Sequence, residues 1–553
     1  MNDDATRKPS LDAAESQTPG MCGNSMRENR DARVTPTPDG GGGRSGKAVS
    51  RTPDTDMAWK SDDPIVPAKR ANNVGERPGR APSAESVEER GSTKGNAEQS
   101  TVRRAQDRIG ASSGLLRVRA AARRDKEARF TSLLHHVSPE LLWSSFHELK
   151  RSAVPGVDGV TWQEYESGLE ARIADLHDRV HRGSYRAKPS KRAWISKADG
   201  RQRPLGIAAL EDKIVQRALR AVLEQIYEED FVGFSYGFRP GKSGHNALDA
   251  LYVGITQRKV NWVLDADIRG FFDAIDHEWM VKFLEHRIAD QRVLRLIRKW
   301  LTAGVSEDGE WSKTAVGTPQ GAVISPLLAN VYLHYVFDLW AKQWRDRHAS
   351  GDVIMVRYAD DFVVGFQHRG EAERFLRELR ERLEGFGLEL HPDKTRLIEF
   401  GRFAAQRRSG RGDGRPETFD FLGFTHYCGQ TRRGKFKLGR KTISKRLRAT
   451  LQGVKAKLRR RMHWPLDVVG EWLRSVVQGW YNYFAVPGNR SALEAFRTQV
   501  SRYWLRVIRR RSQRGRRKWT WERMRRRLIR KWIPSVRILH SYPNQRLIVN
   551  HPR

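Results

Sequence analysis

The chain has 553 residues, enough for two or three domains with real cores. Its 102 Lys and Arg against 65 Asp and Glu leave a formal charge of +37 and a pI near 10.6. That balance points to a polyanion, because each Lys or Arg set against a phosphate backbone releases condensed counterions. An anionic membrane surface is the competing partner, but no amphipathic segment carries a strong apolar face and no long uncharged run exists. Cys22 and Cys428 alone exclude a disulfide framework and a Cys-rich zinc site. The start Met-Asn-Asp-Asp carries no basic-plus-apolar signal, so a reducing cytoplasm is expected.

Residues 1–110 are rich in Gly, Pro, Ser, Asp, Arg and Asn and nearly lack apolar periodicity, which predicts a disordered extension. Within it, Met57 to Pro64 is either a short docking segment or solvated tail. From 115 the spacing turns helical, with Leu133, Leu134, Val137, Leu141 and Leu142 before Phe146 and Leu149. Ile195 to Pro204 carries an Ala-Asp-Gly tip that predicts a hairpin. Helices at 278–301 and 371–387 alternate with strands, giving helices on one face of a mostly antiparallel sheet, an α+β fold. Phe400 to Arg415 is a basic, Gly-rich loop, open both to phosphate contact and to simple solvation. Ile443–Met462, Leu466–Phe484 and Ala492–Arg511 read as three basic helices. Arg502 to Lys531 then holds fifteen basic side chains against the single acid Glu522, interleaved with Trp504, Trp519 and Trp521. That density would self-repel without a polyanion, so nucleic-acid binding is expected there.

Two acidic interruptions stand out. Residues 354–366 read as two apolar strands broken by Asp360 and Asp361, and neighbouring carboxylates repel each other unless a cation neutralises them. Strand geometry sends successive side chains to opposite faces, so both reach one site only from a hairpin tip. An ordinary polar turn is the plain alternative. At 262–277 a second apolar strand runs into acids, with Asp265 and Asp267 on one face and a turn at Gly270 that leaves Asp267 near the strand end. Carboxylates from different strands are what two-metal nucleotidyl transfer requires. Asp273 and Asp276 read as helix-start residues.

Tyr358-Ala359-Asp360-Asp361, with Asp267-Ile-Arg-Gly-Phe-Phe-Asp273 upstream, resembles the palm of a reverse transcriptase of the group II intron-encoded (maturase) branch. The resemblance runs from Gly156-Val-Asp-Gly-Val-Thr161 to about Gly488. Between lie, in the family's order, Arg203-Pro-Leu-Gly-Ile207, Asp212-Lys-Ile-Val-Gln216, Ser235-Tyr-Gly-Phe-Arg-Pro240 and Gly317-Thr-Pro-Gln-Gly321 continuing to Asn330. Leu390-His-Pro-Asp-Lys-Thr395, Phe421-Leu-Gly-Phe424 and Gly479-Trp-Tyr-Asn-Tyr-Phe484 follow. The chain departs from the family at Ala208, where a Pro usually follows Pro-Leu-Gly-Ile.

The resemblance implies a right-hand polymerase, with fingers and palm followed by an all-α thumb or maturase domain. The expected divisions are a disordered extension at 1–110, N-terminal helices and fingers at 111–240, palm at 241–435, thumb at 436–535 and a tail at 536–553. It implies that Asp267, Asp360 and Asp361 are catalytic and, with the Ile268 carbonyl, hold two Mg²⁺ ions, for which Mn²⁺ could substitute. Lys197, Arg203, Gln320 and Gly321 would line the nucleotide pocket. Phe272 would be the gate against a 2′-hydroxyl, or, like Phe271, plain packing. Tyr358 and Lys394 would meet the primer. Arg506, Arg509, Arg510, Arg511, Arg514, Arg516 and Arg517 are the candidate nucleic-acid contacts of the basic tail.

The function implied is RNA-directed DNA synthesis from dNTPs on an RNA template with a DNA primer or target. It is joined to binding of group II intron RNA that assists splicing and mobility in a bacterial cytoplasm, near the nucleoid and without a membrane. A His-Asn-His endonuclease is expected to be absent, leaving the primer to come from elsewhere. The alternatives are a retron-type, CRISPR-associated or domesticated reverse transcriptase, and a non-catalytic splicing factor on the same scaffold.

Overall fold

The computed structural model describes residues 113–196, 202–307, 310–312, 316–318 and 320–543. The extension expected to be disordered, the fingers tip with Lys197 and Arg201, and Cys22 lie outside the described residues. The first sheet, in the fingers, has the order β2-β1-β4-β5, from β1 (Ser190–Ser196), β2 (Gln202–Ile207), β4 (Val305–Glu307) and β5 (Glu310–Ser312). β1 and β2 form the expected antiparallel hairpin, Ser196 opposite Gln202.

The palm sheet is built from β3 (Trp262–Asp267), β6 (Val353–Tyr358), β7 (Asp361–Phe366) and β8 (Arg396–Glu399), in the order β6-β7-β3-β8 with all neighbours antiparallel. Its strands read as continuous apolar runs because both faces are covered. Leu264, Met355, Phe362 and Val364 enter one core, while Val263, Ile354, Val356 and Val363 enter the other. The expectation of helices on one face is therefore corrected. Helices Ser325–Leu333, Leu339–His348 and Arg369–Glu384 contribute to the first core, and Gly244–Gln257 to the second.

The single helix expected at 278–301 is two, His277–Glu285 and Gln291–Thr302. Asp290 makes the break. Its carboxylate accepts from the amides of Arg292, Leu133 and Leu134, so it caps the second helix and ties the N-terminal segment to it. Farther up that segment, Arg119 and Arg123 of the helix at 113–124 reach Glu229 at 2.7 and 3.0 Å.

A third sheet, β11-β10-β9, from β9 (Phe419–Phe421), β10 (Phe424–Gln430) and β11 (Phe436–Thr442), leads into helices Ser444–Arg460, Leu466–Phe484 and Arg490–Arg510. These match the three expected helices within a few residues. Trp480, Tyr481, Tyr483 and Phe484 are buried, the packing role expected of that aromatic word. The second core runs from the palm strands through these helices to Trp532, and the change from sheet to helices comes at Ser444, after β11, so the boundary expected at 436 falls inside the third sheet.

Candidate active site

β6 and β7 are joined by a two-residue turn, Ala359-Asp360, with Tyr358 paired to Asp361. Ala359 has φ +58°, a left-handed conformation that such a turn usually gives to Gly. On the other side of β7, Asp361 stands directly opposite Asp267 in the β3 ladder. The turn and this register bring together acids from three places in the sheet. Although Asp361 is open to solvent at the cleft, desolvation by the surrounding protein pushes its carboxyl well above the usual range, and the Asp360 and Asp267 charges add to it. Burial also raises Asp360, with Asp267 in the same direction and Arg203 and Lys394 opposing.

The strained turn is held from behind by residues that sequence reading passed over. Arg357 is fully buried and all its donors are used. Its Nε and Nη2 donate to Asp338 at 2.7 and 2.5 Å, Nη1 to Asn330 Oδ1 and the Ala359 carbonyl at 3.1 and 2.9 Å, and Nη2 to Ser235 Oγ at 2.7 Å. Asp338 closes a π-helical turn, His334–Asp338, which joins two α-helices and is a local form frequent at functional sites. Gly237 lies so close that a Cβ would sit 2.2 Å from the Ala359 nitrogen, and Asn330 Nδ2 donates to the Gly237 carbonyl. The words Ser235 to Pro240 and Gly317 to Asn330, far apart in sequence, thus meet at the back of this hairpin. The only sequence signal for Arg357 was an Arg inside an otherwise apolar strand.

In front of the acids, Arg203 Nε donates to Gln320 Oε1 at 2.6 Å, and Gln320 Nε2 reaches Asp273 at 3.4 Å. Asp273 therefore does more than begin a helix. Gly321, at φ +115°, lies against β2, where a Cβ would come within 2.7 Å of the Gly206 carbonyl, so the position takes no side chain. Gly317 rests likewise on Phe272 and Asp273, and the Thr318 amide donates to the Phe272 carbonyl. The two phenylalanines divide their roles: Phe271 is buried in the core, whereas Phe272 is only half-buried beside the Gln320 loop.

Some expected contacts take other places. Tyr358, expected at the primer, is buried against the second core, and as the ladder partner of Asp361 it lies on the same face of the sheet as the acids. Lys394 donates to Asp267 Oδ2 at 2.5 Å, since the turn after Leu390 is pinned by the His391 amide on the Asp267 carbonyl. The Ile268 side chain is core, and its backbone bridges to Leu390.

Comparison with known proteins follows the same lines. Residues 195–426 match the family model described as reverse transcriptase (RNA-dependent DNA polymerase). Protein YkfC of Escherichia coli is 35% identical over 281 residues, covering 45% of this chain and 73% of that protein. The group II intron-encoded protein LtrA of Lactococcus lactis subsp. cremoris is 35% identical over 224 residues, 40% of this chain and 37% of LtrA. The chain belongs to the group II intron-encoded reverse transcriptases and maturases. It covers 48% of a further relative, an uncharacterized 91 kDa protein in the cob intron of Schizosaccharomyces pombe, at 30% identity over 59% of its own length. A solved telomerase from Candida albicans, in complex with a fragment of telomeric RNA, shares 13% identity over 63% of each chain at a TM-score of 0.35, too low to carry any role across.

For a reverse transcriptase the donor set matters. Among the described residues, no group of three or more His, Cys, Asp and Glu side chains is gathered closely enough to hold a metal ion. Lys394 occupies one oxygen of Asp267 instead. The chemistry nevertheless fits a hard divalent cation, because carboxylate oxygens that raise one another are what such a cation relieves. It would compete with Lys394 for Asp267.

The basic tail of the reverse transcriptase is sorted by the fold. Arg506, Arg509, Arg510, Arg514, Arg516 and Arg517 are exposed. Arg511, one of the expected nucleic-acid contacts, is half-buried and donates to the Trp464 carbonyl, which ties it between helices. Trp504 is wholly buried, while Trp521 is open to solvent. No helix of the described residues is long and apolar enough to cross a membrane.

Proposed function

We propose that this chain is an RNA-directed DNA polymerase that copies an RNA template from dNTPs and also binds its intron RNA to assist splicing. The observation that carries the reading is the meeting of Asp267 and Asp361 across one ladder, with Asp360 at the adjoining turn and Arg203 and Gln320 in front. Asp267, Asp360 and Asp361, with the Ile268 carbonyl, would hold Mg²⁺, and Mn²⁺ has the same oxygen preference. Bound there, the ions would supply activation of the primer hydroxyl and neutralisation of the leaving pyrophosphate.

The chain's own residues do the rest. Arg203 and Lys197 grip the triphosphate; Gln320 fixes base and sugar; Phe272 closes the space a 2′-hydroxyl would need. Lys394, bonded to Asp267 Oδ2, holds it in place until the cation arrives. The exposed arginines between Arg506 and Arg517 track the backbone of intron RNA or of the primer duplex, and the same surface would serve target-primed mobility.

Primer extension on an RNA template with Mg²⁺ and dNTPs, comparing wild type with Asp360→Ala, tests this. DNA synthesis should fall to background in the variant while RNA affinity stays within about twofold, because binding is spread over many phosphate contacts. No synthesis by the wild type would favour a non-catalytic splicing factor.

A further inference from the structure

The stretch Phe400 to Arg415, which sequence left open between loop and phosphate contact, folds around a short helix, Ala404–Gly410. With β10 and β11 it walls a cavity of about 700 Å³. That is within the range of about 300–1,000 Å³ that takes a nucleotide-sized ligand. Arg402, Arg415 and Lys441 line it with Tyr427, Phe436 and Gln430, and no acid is among its lining residues. Glu399 and Asp413, close by in the sequence, both pair with Arg411, and Glu417 stands between the lining residues Pro416 and Thr418. Arg432, Arg433 and Lys435 at the exposed turn of the hairpin extend the positive rim.

The aromatic wall is fixed. Tyr427 lies across from Gly439 on the paired strand, so close that a Cβ there would be 2.2 Å from its ring. Arg402 is anchored too, with Nη2 donating to the Thr256 carbonyl at 2.5 Å and its charge left unneutralised by that bond. Above all, the cavity is far from the polymerase cleft. Glu399 pairs with Trp262 at the start of β3, and Gly401 packs on the Val260 carbonyl, whereas Asp267 ends the same strand. A whole strand, about 17 Å at 3.4 Å per residue, separates them.

We propose that this cavity is a second nucleic-acid site, which takes one unstacked base of single-stranded RNA against Tyr427 and its flanking phosphates on Arg402, Arg415 and Lys441. Rings beside fixed cations bind single strands in this way, base by stacking and backbone by charge. The site rests on the proposed RNA-binding function and refines it: RNA held here leaves the cleft free for primer and template.

The test uses the full chain, a 12-nucleotide single-stranded RNA carrying 4-thiouridine, and the double variant Arg415→Ala/Lys441→Ala. The wild type should crosslink within residues 427–436. The variant should lose that crosslink, bind the RNA about 10-fold more weakly and show a salt slope flatter by about 1.4, with extension of a pre-annealed primer unchanged. An unchanged slope with crosslinks elsewhere overturns the site. So does displacement of the crosslink by a dNTP at concentrations that saturate extension, which would make it a free-nucleotide pocket. A wild type that extends primers without this crosslink overturns the site alone; one that neither extends nor binds RNA takes the polymerase reading down with it.

Discussion

Ala359 holds a backbone conformation that costs an L residue about 1–2 kcal/mol, and Arg357 is what keeps it there. Arg357→Lys keeps the charge but cannot make the five bonds of the guanidinium. The expected result is a kcat for DNA synthesis about 10- to 100-fold lower with the dNTP KM little changed, since the residue positions Asp360 without touching substrate. Unfolding would also lower kcat at unchanged KM, so the loss is referred to the folded fraction read by urea unfolding; a loss that vanishes on that correction would point to general unfolding instead. Asp338→Ala strands a buried cation and should remove about 3–5 kcal/mol of stability, read by urea unfolding. Phe272 makes a different test. Phe272→Val opens the half-buried wall beside Gln320 and should admit rNTPs, measured as the ratio of rNTP to dNTP incorporation; an unmoved ratio would reduce Phe272 to packing. Sequence made the acids visible because carboxylates in apolar strands are anomalous. It hid Arg357 because nothing along the chain says that Asp338 lies behind it.

Among the elements, the helix at 113–124 depends on two arginines meeting Glu229. Hydrogen bonds from Arg123 and Arg119 hold the Glu229 carboxyl down at about 2. A folded value below the unfolded one means that the contribution is complete above the ordinary Glu range, about 4.3, and is lost as pH falls toward 2. Glu229→Gln should therefore lower the melting temperature by about 1–2 °C at pH 7, a difference that shrinks between pH 5 and pH 2. A constant difference across that range would mean that the helix is held by packing alone. Element boundaries show the same dependence on distant partners. Apolar spacing joined 278 to 301 into one helix, but Asp290 had amide partners at Leu133 and Leu134 to satisfy.

For the molecule as a whole, positive charge is divided between what binds and what braces. Replacing Arg510, Arg514, Arg516 and Arg517 with Ala should flatten the salt dependence of RNA binding by about 3, one increment of about 0.7 for each lost phosphate contact. Arg511→Ala is the internal control. It removes the same charge from a side chain committed to the Trp464 carbonyl, so it should leave the slope nearly unchanged and loosen the helices. Equal slopes for Arg511→Ala and any one of the other single variants would erase the distinction drawn from burial.

The family words, the hairpin at Asp360 and the aromatic core of the three C-terminal helices were legible along the chain, because each rests on local composition or period. The pairing of Asp267 with Asp361, the burial of Tyr358 and Trp504 and the bracing by Arg357 were not. They are decided by which strands become neighbours and which faces are covered, and a strand covered on both faces leaves no alternation in its sequence to say which side meets the cleft.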